Sequence, residues 1–465
     1  MQTNHYDALI IGFGKGGKTL AQDLAKIGER VILIEKSPEM YGGTCINVAC
    51  IPTKSLVHNA KFAEQHPEWN FDKKADFYYQ SVLEKRELVK LLRDKNYFLL
   101  ADNPKITVVT GTASFSGSHS VNVQLPDGKT GEYSADKIFI NTGSHEIIPS
   151  IKGLNDNPQV YTSKTMLEVE KLPQKLVIIG GGYIGLEFAS MYASYGSQVT
   201  LLDRGEKLIA REDRDVAELV QKRLESRGIE FIFNADVQEI QYSETNQLST
   251  ISYKNKKNET TESIEADAVL LAVGRRPNTA SLNTEKAGVE LTERGGIRTN
   301  EFRQTSQAHI WAMGDVVGEE QFTYISLDDE RIVLDYLIGN RQKSAQNRTA
   351  VPYSVFIDPP LSRVGINETE AEKQGLDVAV ASLPAGAIPR ARLMNETDGL
   401  LKLIVDNKTG KILGCTLFCA YSHEMINIVS TAMKLDADYT FLRDAIFTHP
   451  TMSEALNDLA KKINI

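Results

Sequence analysis

Two segments of the chain share one pattern of apolar and polar positions. Each begins with a short apolar run, passes through a cluster of glycines into an amphipathic stretch, and ends with a second apolar run and an acid. Short apolar runs bounded by turn residues are typical of buried strands, and apolar residues three to four positions apart are typical of a helix. The pattern therefore predicts strand, turn, helix and strand at residues 7–35 and again at residues 175–203.

The turn of each unit carries a G-x-G-x-x-G fingerprint, and an acid follows its middle glycine by about 20 residues. The first unit has Gly12, Gly14, Gly17 and the acid Glu35; the second has Gly180, Gly182, Gly185 and the acid Asp203. In such a unit the glycines let a pyrophosphate approach the helix N-terminus, and the acid binds ribose hydroxyls. Two units predict two bound dinucleotides, and the alternative is a pair of glycine-rich packing turns.

The remaining pattern predicts further elements and a third domain. Residues 60–100 favour helices with one polar face, and residues 105–140 alternate as strands do. A charged helix is predicted at 213–228 and a buried strand at 268–273, and beyond residue 348 strands and then helices follow without another fingerprint. We therefore predict four segments, with bounds 1–150, 151–272, 273–347 and 348–465, and the first two of them each carry a fingerprint.

Composition narrows the class of protein. The 465 residues leave room for about three domains. A net charge of −9 and a pI near 5.6 do not favour a nucleic-acid or anionic-membrane partner. No apolar stretch approaches the roughly 20 residues that span a bilayer, and the chain begins directly in a predicted strand. We therefore expect a cytoplasmic protein that acts neither on membranes nor on nucleic acids.

The run GGTCINVACIPTKSLV at residues 42–57 holds two of the four cysteines, Cys45 and Cys50. A pair at this spacing can form a disulfide if the Cα atoms come within reach. In a reducing compartment, close cysteines are more often catalytic or metal-binding than structural. Because a dinucleotide fingerprint lies about thirty residues upstream, we predict electron transfer from a cofactor into sulfur and no metal site. The alternatives are a structural disulfide and two buried thiols.

Six motifs, in order, make the chain resemble the flavin-dependent pyridine nucleotide–disulfide oxidoreductases over nearly its full length. They are the first fingerprint with Glu35, the cysteine run, Asn141-Thr-Gly143, the second fingerprint, Gly314-Asp315 and His449-Pro-Thr-Met-Ser-Glu454. Ala49 departs from the family, which usually has glycine there. The resemblance implies an α/β fold with two Rossmann-like dinucleotide-binding domains, a C-terminal α+β dimerisation domain and a homodimer.

The resemblance also implies the cofactors FAD and NADH or NADPH. It assigns 1–150 and 273–347 as the two parts of an FAD-binding domain, 151–272 as an NAD(P)H-binding domain and 348–465 as the interface domain. The residues expected to bind FAD are Gly12, Gly14, Gly17, Glu35, Gly43, Thr44, Lys54, Thr142, Gly143, Gly314 and Asp315. The residues expected to bind the nicotinamide cofactor are Gly180, Gly182, Tyr183, Gly185, Asp203, Arg204 and Gly274. An acid such as Asp203 favours a ribose 2′-hydroxyl, whereas Arg204 suits a 2′-phosphate, so use of both nicotinamides is expected.

By the same resemblance, Cys50 faces the flavin, Cys45 meets the substrate, and Lys54 pairs with Glu187 beside the flavin N5. His449 and Glu454 form an acid–base pair that reaches the active site of the other subunit.

Purely structural roles remain the alternatives for several of these residues. Glu187 could be an ordinary acid at a helix N-terminus, Tyr183 a packing residue rather than a lid over the nicotinamide, and His449 a surface histidine. The remaining cysteines, Cys415 and Cys419, lie in an apolar strand-like run and are expected to be small buried hydrophobes.

Five further stretches are similar to the reactive-chlorine-resistance flavoproteins, and they lie at 12–21, 321–333, 359–365, 388–395 and 422–429. This similarity implies a small oxidant as substrate, foremost hypothiocyanous acid reduced to thiocyanate in oxidative-stress defence. The alternatives are a dihydrolipoamide dehydrogenase, a Cu(II) or Hg(II) reductase, a docked subunit of a larger dehydrogenase complex, and a redox sensor.

Overall fold

The computed structural model describes residues 4–465. Its α-helices are α1 (Lys15–Lys26), α2 (Thr44–Asn47), α3 (Cys50–Glu64), α4 (Phe71–Ala101), α5 (Ser163–Met166), α6 (Tyr183–Tyr195), α7 (Arg214–Glu225), α8 (Thr323–Ile338), α9 (Glu368–Lys373), α10 (Pro389–Leu393), α11 (Ser422–Lys434), α12 (Tyr439–Asp444) and α13 (Ala455–Ala460). Its strands in the first half are β1 (Asn4–Ile11), β2 (Val31–Glu35), β3 (Ile106–Thr110), β4 (Thr112–Phe115), β5 (Ser120–Gln124), β6 (Thr130–Ile140), β7 (Ser144–Glu146), β8 (Val160–Thr162), β9 (Lys175–Ile179), β10 (Gln198–Leu202) and β11 (Ile229–Ile232). The later strands are β12 (Ala235–Ser243), β13 (Leu248–Asn255), β14 (Thr261–Ala266), β15 (Ala268–Leu271), β16 (Arg275–Pro277), β17 (Ile310–Ala312), β18 (Tyr353–Val355), β19 (Leu361–Gly365), β20 (Val378–Pro384), β21 (Leu400–Asp406) and β22 (Ile412–Phe418).

The chain divides into two compact units. Unit 1 comprises the chain up to Ser55, Gln80–Ile148 and Gly274–Arg348; unit 2 comprises Leu56–Tyr79, Pro149–Val273 and Thr349–Ile465. Each unit contains one of the two predicted glycine fingerprints.

Unit 1 is built on a sheet of order β3-β2-β1-β6-β5-β4, with β17 also paired to β6. Strands β3, β2, β1, β6 and β17 run parallel, and β4, β5 and β6 form an antiparallel meander. Alternate residues of β1 pack into different cores: Leu9 and Ile11 lie in one, Ala8 and Ile10 in the other. Burial on both faces explains why this strand is continuously apolar in the sequence.

Unit 2 contains a second parallel sheet, of order β11-β10-β9-β15-β8, and an antiparallel sheet of β12, β13 and β14. Its C-terminal part is an antiparallel sheet of order β18-β19-β22-β21-β20. Cys415 and Cys419 are both fully buried in the core formed by this sheet and helices α11 and α13, as predicted. Cys419 follows the end of β22, so the prediction that both cysteines sit on one strand is wrong.

The predicted α/β class is confirmed by the two parallel sheets and the antiparallel C-terminal sheet. Boundaries differ by a few residues where the local sequence is ambiguous. Helix α1 begins at Lys15, so Gly17, the last glycine of the fingerprint, already lies within its first turn. Strand β15 ends at Leu271 rather than at residue 273. None of the helices in the described residues combines the length and apolar character that crossing a bilayer requires.

Candidate active site

The first glycine turn joins β1 to α1 in unit 1. Gly12 has φ +105°, and a Cβ there would come within 2.3 Å of the Asn141 carbonyl oxygen. The Asn141 side chain accepts a hydrogen bond from the Gly17 N–H (2.9 Å). Gly12 must therefore be glycine, both for its backbone conformation and because the end of β6 lies directly against it.

Two carboxylates lie beside this turn. Glu35, the buried last residue of β2, accepts hydrogen bonds from the N–H groups of Phe13 (2.9 Å) and Ser37 (3.4 Å), and burial raises its pKa. Asp315 accepts a hydrogen bond from the Ser144 hydroxyl (2.8 Å), and burial raises its pKa as well. Carboxylate oxygens are suitable acceptors for sugar and polyol hydroxyls, so this set of acceptors fits a flavin dinucleotide.

The other residues expected at FAD also lie in unit 1. Thr44 begins α2 after Gly43, Thr142 donates to the Asn278 carbonyl oxygen (2.8 Å), and Gly143 follows with φ +70°. The Gly314 N–H donates to Asp329 (2.8 Å). Gly314 directly precedes Asp315, so this hydrogen bond helps to fix the backbone at that acid.

The cysteine segment lies against the glycine turn. Gly43 has φ +81°, and a Cβ there would come within 2.7 Å of the Gly14 Cα. Short helix α2 carries Cys45, and Cys50 is the first residue of α3. Both cysteines are partly buried and neither is in a disulfide, and the Cys45 thiol hydrogen-bonds to Cys50. The two sulfurs are thus close enough to form a disulfide with each other and to return to a dithiol.

Thr323 connects both sulfurs to α8. The Cys50 Sγ lies 3.5 Å from the Thr323 Oγ1, and the Thr323 hydroxyl also donates to Cys45. Thr323 is the first residue of α8, whose N-terminus has no side-chain cap. The positive end of that helix dipole favours negative charge on a nearby sulfur. Cys45 itself is held in the thiol form, because the hydrogen bond to Cys50, burial and the charge on Cys50 all raise its pKa.

The second glycine turn joins β9 to α6 in unit 2. Gly180 has φ +114° and packs against the Ala272 carbonyl oxygen, as Gly12 packs against Asn141 in unit 1. Gly185 packs as closely on the Gly180 carbonyl oxygen. Gly182 differs, because its φ is −74° and a Cβ there would meet no atom of residues 4–465 within 4 Å. Neither strain nor protein packing requires glycine at Gly182, so close approach of a ligand is the remaining reason, and this fits a nicotinamide dinucleotide.

Asp203 and Arg204 follow β10. The Asp203 carboxylate accepts hydrogen bonds from the N–H groups of Gly181 (2.5 Å) and Gly205 (2.6 Å). The Arg204 side chain is 71% exposed and pairs with Asp236 (3.0 Å). The guanidinium is therefore already neutralised in part. Gly274, the last residue in the predicted nicotinamide set, belongs to unit 1 and has φ +122°.

Tyr183 is tied into a polar cluster of unit 2. Its hydroxyl donates to the buried carboxylate of Glu212 (2.7 Å), and Tyr353 donates to the same carboxylate. The two tyrosine rings stack with centroids 5.5 Å apart, and Arg363 approaches Glu212 at 3.4 Å. Burial and the Glu212 charge raise the pKa of both hydroxyls, so both stay protonated donors.

Glu187 lies within α6, and its carboxylate accepts a hydrogen bond from the Phe356 N–H (2.9 Å). Lys54 lies on α3, one turn after Cys50, in unit 1. The pairing of Lys54 with Glu187 stays a prediction.

His449 and Glu454 are brought together in unit 2. The His449 Nδ1 donates to the Glu454 Oε2 (2.8 Å), and the Thr451 N–H donates to the other carboxylate oxygen (3.1 Å). The hydrogen bond to His449 lowers the pKa of Glu454. Since Nδ1 carries the proton, the Nε2 of the neutral ring is the nitrogen that can accept one. The His449 side chain is 71% exposed on this chain.

Sequence reasoning missed three residues of these clusters: Thr323, Glu212 and Tyr353. Thr323 lies in the stretch 321–333, which the similarity to flavoproteins marked without assigning a role. Glu212 and Tyr353 belong to no motif and come together with Tyr183 only through folding.

The chain matches the family described as pyridine nucleotide-disulphide oxidoreductase over residues 6–340, and the dimerisation domain of that family over residues 351–460. The chain therefore belongs to the pyridine nucleotide-disulphide oxidoreductases. It is 50% identical to the probable pyridine nucleotide-disulfide oxidoreductase RclA of Escherichia coli (strain K12), across 98% of this chain and 99% of that protein. The mercuric reductase of Lysinibacillus sphaericus is 33% identical, across 97% of this chain and 82% of the reductase.

A solved structure of the Escherichia coli protein, the Cu(II) complex of the HOCl-induced flavoprotein disulfide reductase RclA, superposes with a TM-score of 0.91. It is 49% identical and covers 99% of each chain. The predicted two Rossmann-like domains with a C-terminal dimerisation domain are thereby confirmed, and the cofactors are FAD and NAD(P)H.

Proposed function

We propose that this oxidoreductase reduces hypothiocyanous acid to thiocyanate and water at the expense of NAD(P)H, in oxidative-stress defence within the cytoplasm. The observation that carries the proposal is the adjacent Cys45–Cys50 dithiol, held beside a dinucleotide turn. The similarity to a flavoprotein disulfide reductase that HOCl induces supports a role against reactive chlorine species and their products.

The sulfur chemistry has two steps. The Cys45 thiol passes its proton to His449 of the partner subunit, and the resulting thiolate attacks the sulfur of hypothiocyanous acid. This forms a Cys45–S–SCN bond and releases hydroxide, which takes up that proton as water. Cys50 then attacks the Cys45 sulfur, releasing thiocyanate and forming the Cys45–Cys50 disulfide. The two electrons that reduce this disulfide come from NAD(P)H, and bound FAD would supply the redox chemistry that relays them. The sum is NAD(P)H and HOSCN giving NAD(P)⁺, SCN⁻ and H₂O.

We assign the cofactor roles by unit. In unit 1, the first turn would hold the FAD pyrophosphate, Glu35 the adenosine ribose and Asp315 the ribitol chain. In unit 2, the turn around Gly182 would hold the nicotinamide cofactor, with Tyr183 over its pocket. Lys54 and Glu187 would lie beside the flavin N5, where a cation stabilises negative charge on the reduced ring.

The dimerisation domain supports a homodimer, and we propose that the dimer completes the active site. His449 of the partner subunit would exchange protons at Cys45, with Glu454 orienting its ring. Ile446, three residues earlier, is fully exposed on the single chain, as an interface residue would be.

The substrate is tested with a panel assayed on the holoenzyme under both nicotinamides, following oxidation of the reduced cofactor. The panel contains hypothiocyanous acid, lipoamide, glutathione disulfide, Cu(II) and Hg(II). We expect the highest kcat/KM with hypothiocyanous acid, because a small electrophile needs little binding surface beyond the reactive sulfur. The Cys45→Ser variant corrects for any direct reaction between the reagents.

Two other outcomes would replace this proposal. A higher kcat/KM with Cu(II) or Hg(II) would indicate a metal-ion reductase, which the Cu(II) complex of the relative favours as second candidate. A higher value with lipoamide would indicate a dihydrolipoamide dehydrogenase.

The nicotinamide preference is tested at Arg204. We expect both cofactors to be used and Arg204→Ala to lower kcat/KM for NADPH by about tenfold, the effect of one charge-assisted hydrogen bond. NADH should change by less than about twofold, since it lacks the 2′-phosphate. Asp236→Asn is the matched variant, because it frees the guanidinium and should favour NADPH. Unchanged NADPH kinetics in Arg204→Ala would exclude this arginine from cofactor recognition.

A further inference from the structure

Lys18 carries a buried amine that none of the roles above uses. The residue is 9% exposed and follows Gly17 on α1. Its amine donates a hydrogen bond to the Asn96 side chain on α4. In the described part of the chain, no carboxylate lies within 4.0 Å of it. Burial of an amine without a carboxylate costs free energy, so stability does not explain why a lysine lies here.

The surroundings of Lys18 bring its amine toward the cysteine segment. The loop before α2 contacts two residues close to Lys18: Gly14 in the first glycine turn and Asn96 on α4. A Cβ at Gly43 would strike Gly14, just before α1, and a Cβ at Gly42 would lie 3.5 Å from the Asn96 Cβ. Lys18 and Cys45 are within electrostatic range, and each favours the charged form of the other.

Several groups affect the ionisation of Cys45, and Lys18 favours the thiolate. Burial and the neighbouring Cys50 both disfavour a Cys45 thiolate. The Thr323 hydroxyl and the Lys18 ammonium oppose them. A thiolate, not a thiol, is the nucleophile, so the ammonium increases the reactive fraction of this sulfur.

We propose that Lys18 is a positioning residue that keeps the Cys45 sulfur nucleophilic through its buried ammonium. The inference deepens the proposed function and rests on it in one respect, since it takes Cys45 as the sulfur that meets the substrate.

The effect of the Lys18 ammonium on Cys45 depends on pH. Burial, with a smaller contribution from Lys15 on the same helix, lowers the pKa of Lys18 to about 8, and Cys45 partly opposes this. The amine is therefore charged below about pH 8 and neutral above it. Its help to Cys45 is present at neutral pH and fades in alkali.

Groups on other helices also lie around the site. Cys50 on α3 and Thr323 on α8 act on Cys45, Tyr324 on α8 is within electrostatic range of Cys50, and Asn96 on α4 is uncharged. The charge on Cys50 opposes ionisation of Cys45 with or without Lys18, so comparison of Lys18 variants isolates the amine.

The test measures the reactivity of Cys45 without any oxidant substrate. Holoenzyme reduced anaerobically with NADH is pulsed with iodoacetamide from pH 6.5 to 9.5, and alkylation of the Cys45 peptide is followed by mass spectrometry. Iodoacetamide is neutral, so attraction of the reagent by the amine does not contribute. We expect Lys18→Met to slow alkylation at pH 7 by about tenfold, equivalent to one pKa unit, and to match the wild type at pH 9.5.

Two variants separate charge from packing. Lys18→Arg keeps its charge in alkali, so its Cys45 should stay more reactive than that of Lys18→Met at pH 9.5 as well. If Lys18→Met fails to bind FAD, Lys18→Arg provides the test alone: above pH 8, its Cys45 should be alkylated faster than that of the wild type. Lys26→Met, at the exposed end of α1, is the control and should behave as the wild type.

Equal rates at pH 7 for the wild type and Lys18→Met would overturn the inference. So would a loss of the same size at every pH, which would indicate a packing role. Because no oxidant is used, the result is independent of the substrate panel. An enzyme that fails to reduce hypothiocyanous acid would still show whether Lys18 acts on Cys45.

Discussion

Replacing Cys45 with serine should abolish oxidant reduction while FAD stays bound and the long-wavelength absorbance of a Cys50 thiolate against the flavin persists. The expected loss of kcat is more than about a thousandfold, as for removal of other essential nucleophiles. Cys50→Ser should lose turnover equally but without that absorbance. The long-wavelength absorbance of both variants is measured by visible spectroscopy, and kcat is measured in turnover assays on the same samples.

The assignment has a structural reason. Cys50 begins α3 and lies 3.5 Å from the hydroxyl of Thr323, which begins α8. Helix N-termini favour anions, so Cys50 is the sulfur best placed to remain a thiolate. Cys45 instead keeps its proton through the hydrogen bond to Cys50.

Cys415→Ala is the matched control for the cysteine variants. Cys415 is buried in the core of the C-terminal sheet, where burial and the nearby Cys419 hold it as a neutral thiol. The variant should lose about 1 kcal/mol of unfolding free energy and keep both turnover and absorbance. An absorbance band found only in Cys50→Ser would reverse the roles of the two active-site sulfurs. Absence of the band from both serine variants would refute the dithiol–flavin relay.

Mixing inactive Cys45→Ser with inactive His449→Ala subunits should restore about a quarter of wild-type activity. Random exchange makes half of the dimers mixed. If the histidine serves the opposite subunit, each mixed dimer has one intact site. His449→Ala alone should lose about a hundredfold to ten-thousandfold of kcat, the usual contribution of a general acid–base.

The control mixture combines Cys45→Ser with Cys50→Ser. Both cysteines of a site come from one chain, so no mixed dimer regains an intact dithiol and activity should stay absent. Subunit exchange is verified with a differently tagged pair and native mass spectrometry. Full exchange without recovery in the first mixture would exclude a shared active site.

Glu454→Gln tests the His449–Glu454 pair with a smaller change than His449→Ala. Glu454→Gln keeps the size of the side chain but removes the charge that fixes Nδ1–H on His449. Its loss of kcat should be smaller than that of His449→Ala, because the imidazole can still accept a proton at Nε2 without an oriented ring.

The sequence alone determined the two dinucleotide-binding units, the close spacing of Cys45 and Cys50, and the family. The fingerprints are visible in the linear pattern because a positive φ requires glycine at Gly12 and Gly180. The His449–Glu454 pair was also visible in the sequence, since its two residues lie within one short loop.

Only the tertiary structure decided which side chains surround the reacting groups. Thr323 comes to the cysteines from α8, and Lys18 acts on Cys45 because the loop before α2 packs on the first glycine turn. The Glu212 carboxylate between Tyr183 and Tyr353 joins residues far apart in the chain. Hydrophobic periodicity and turn chemistry specify elements, but the charges and hydrogen bonds that tune a sulfur arise from elements brought together by folding, and no spacing in the sequence encodes them.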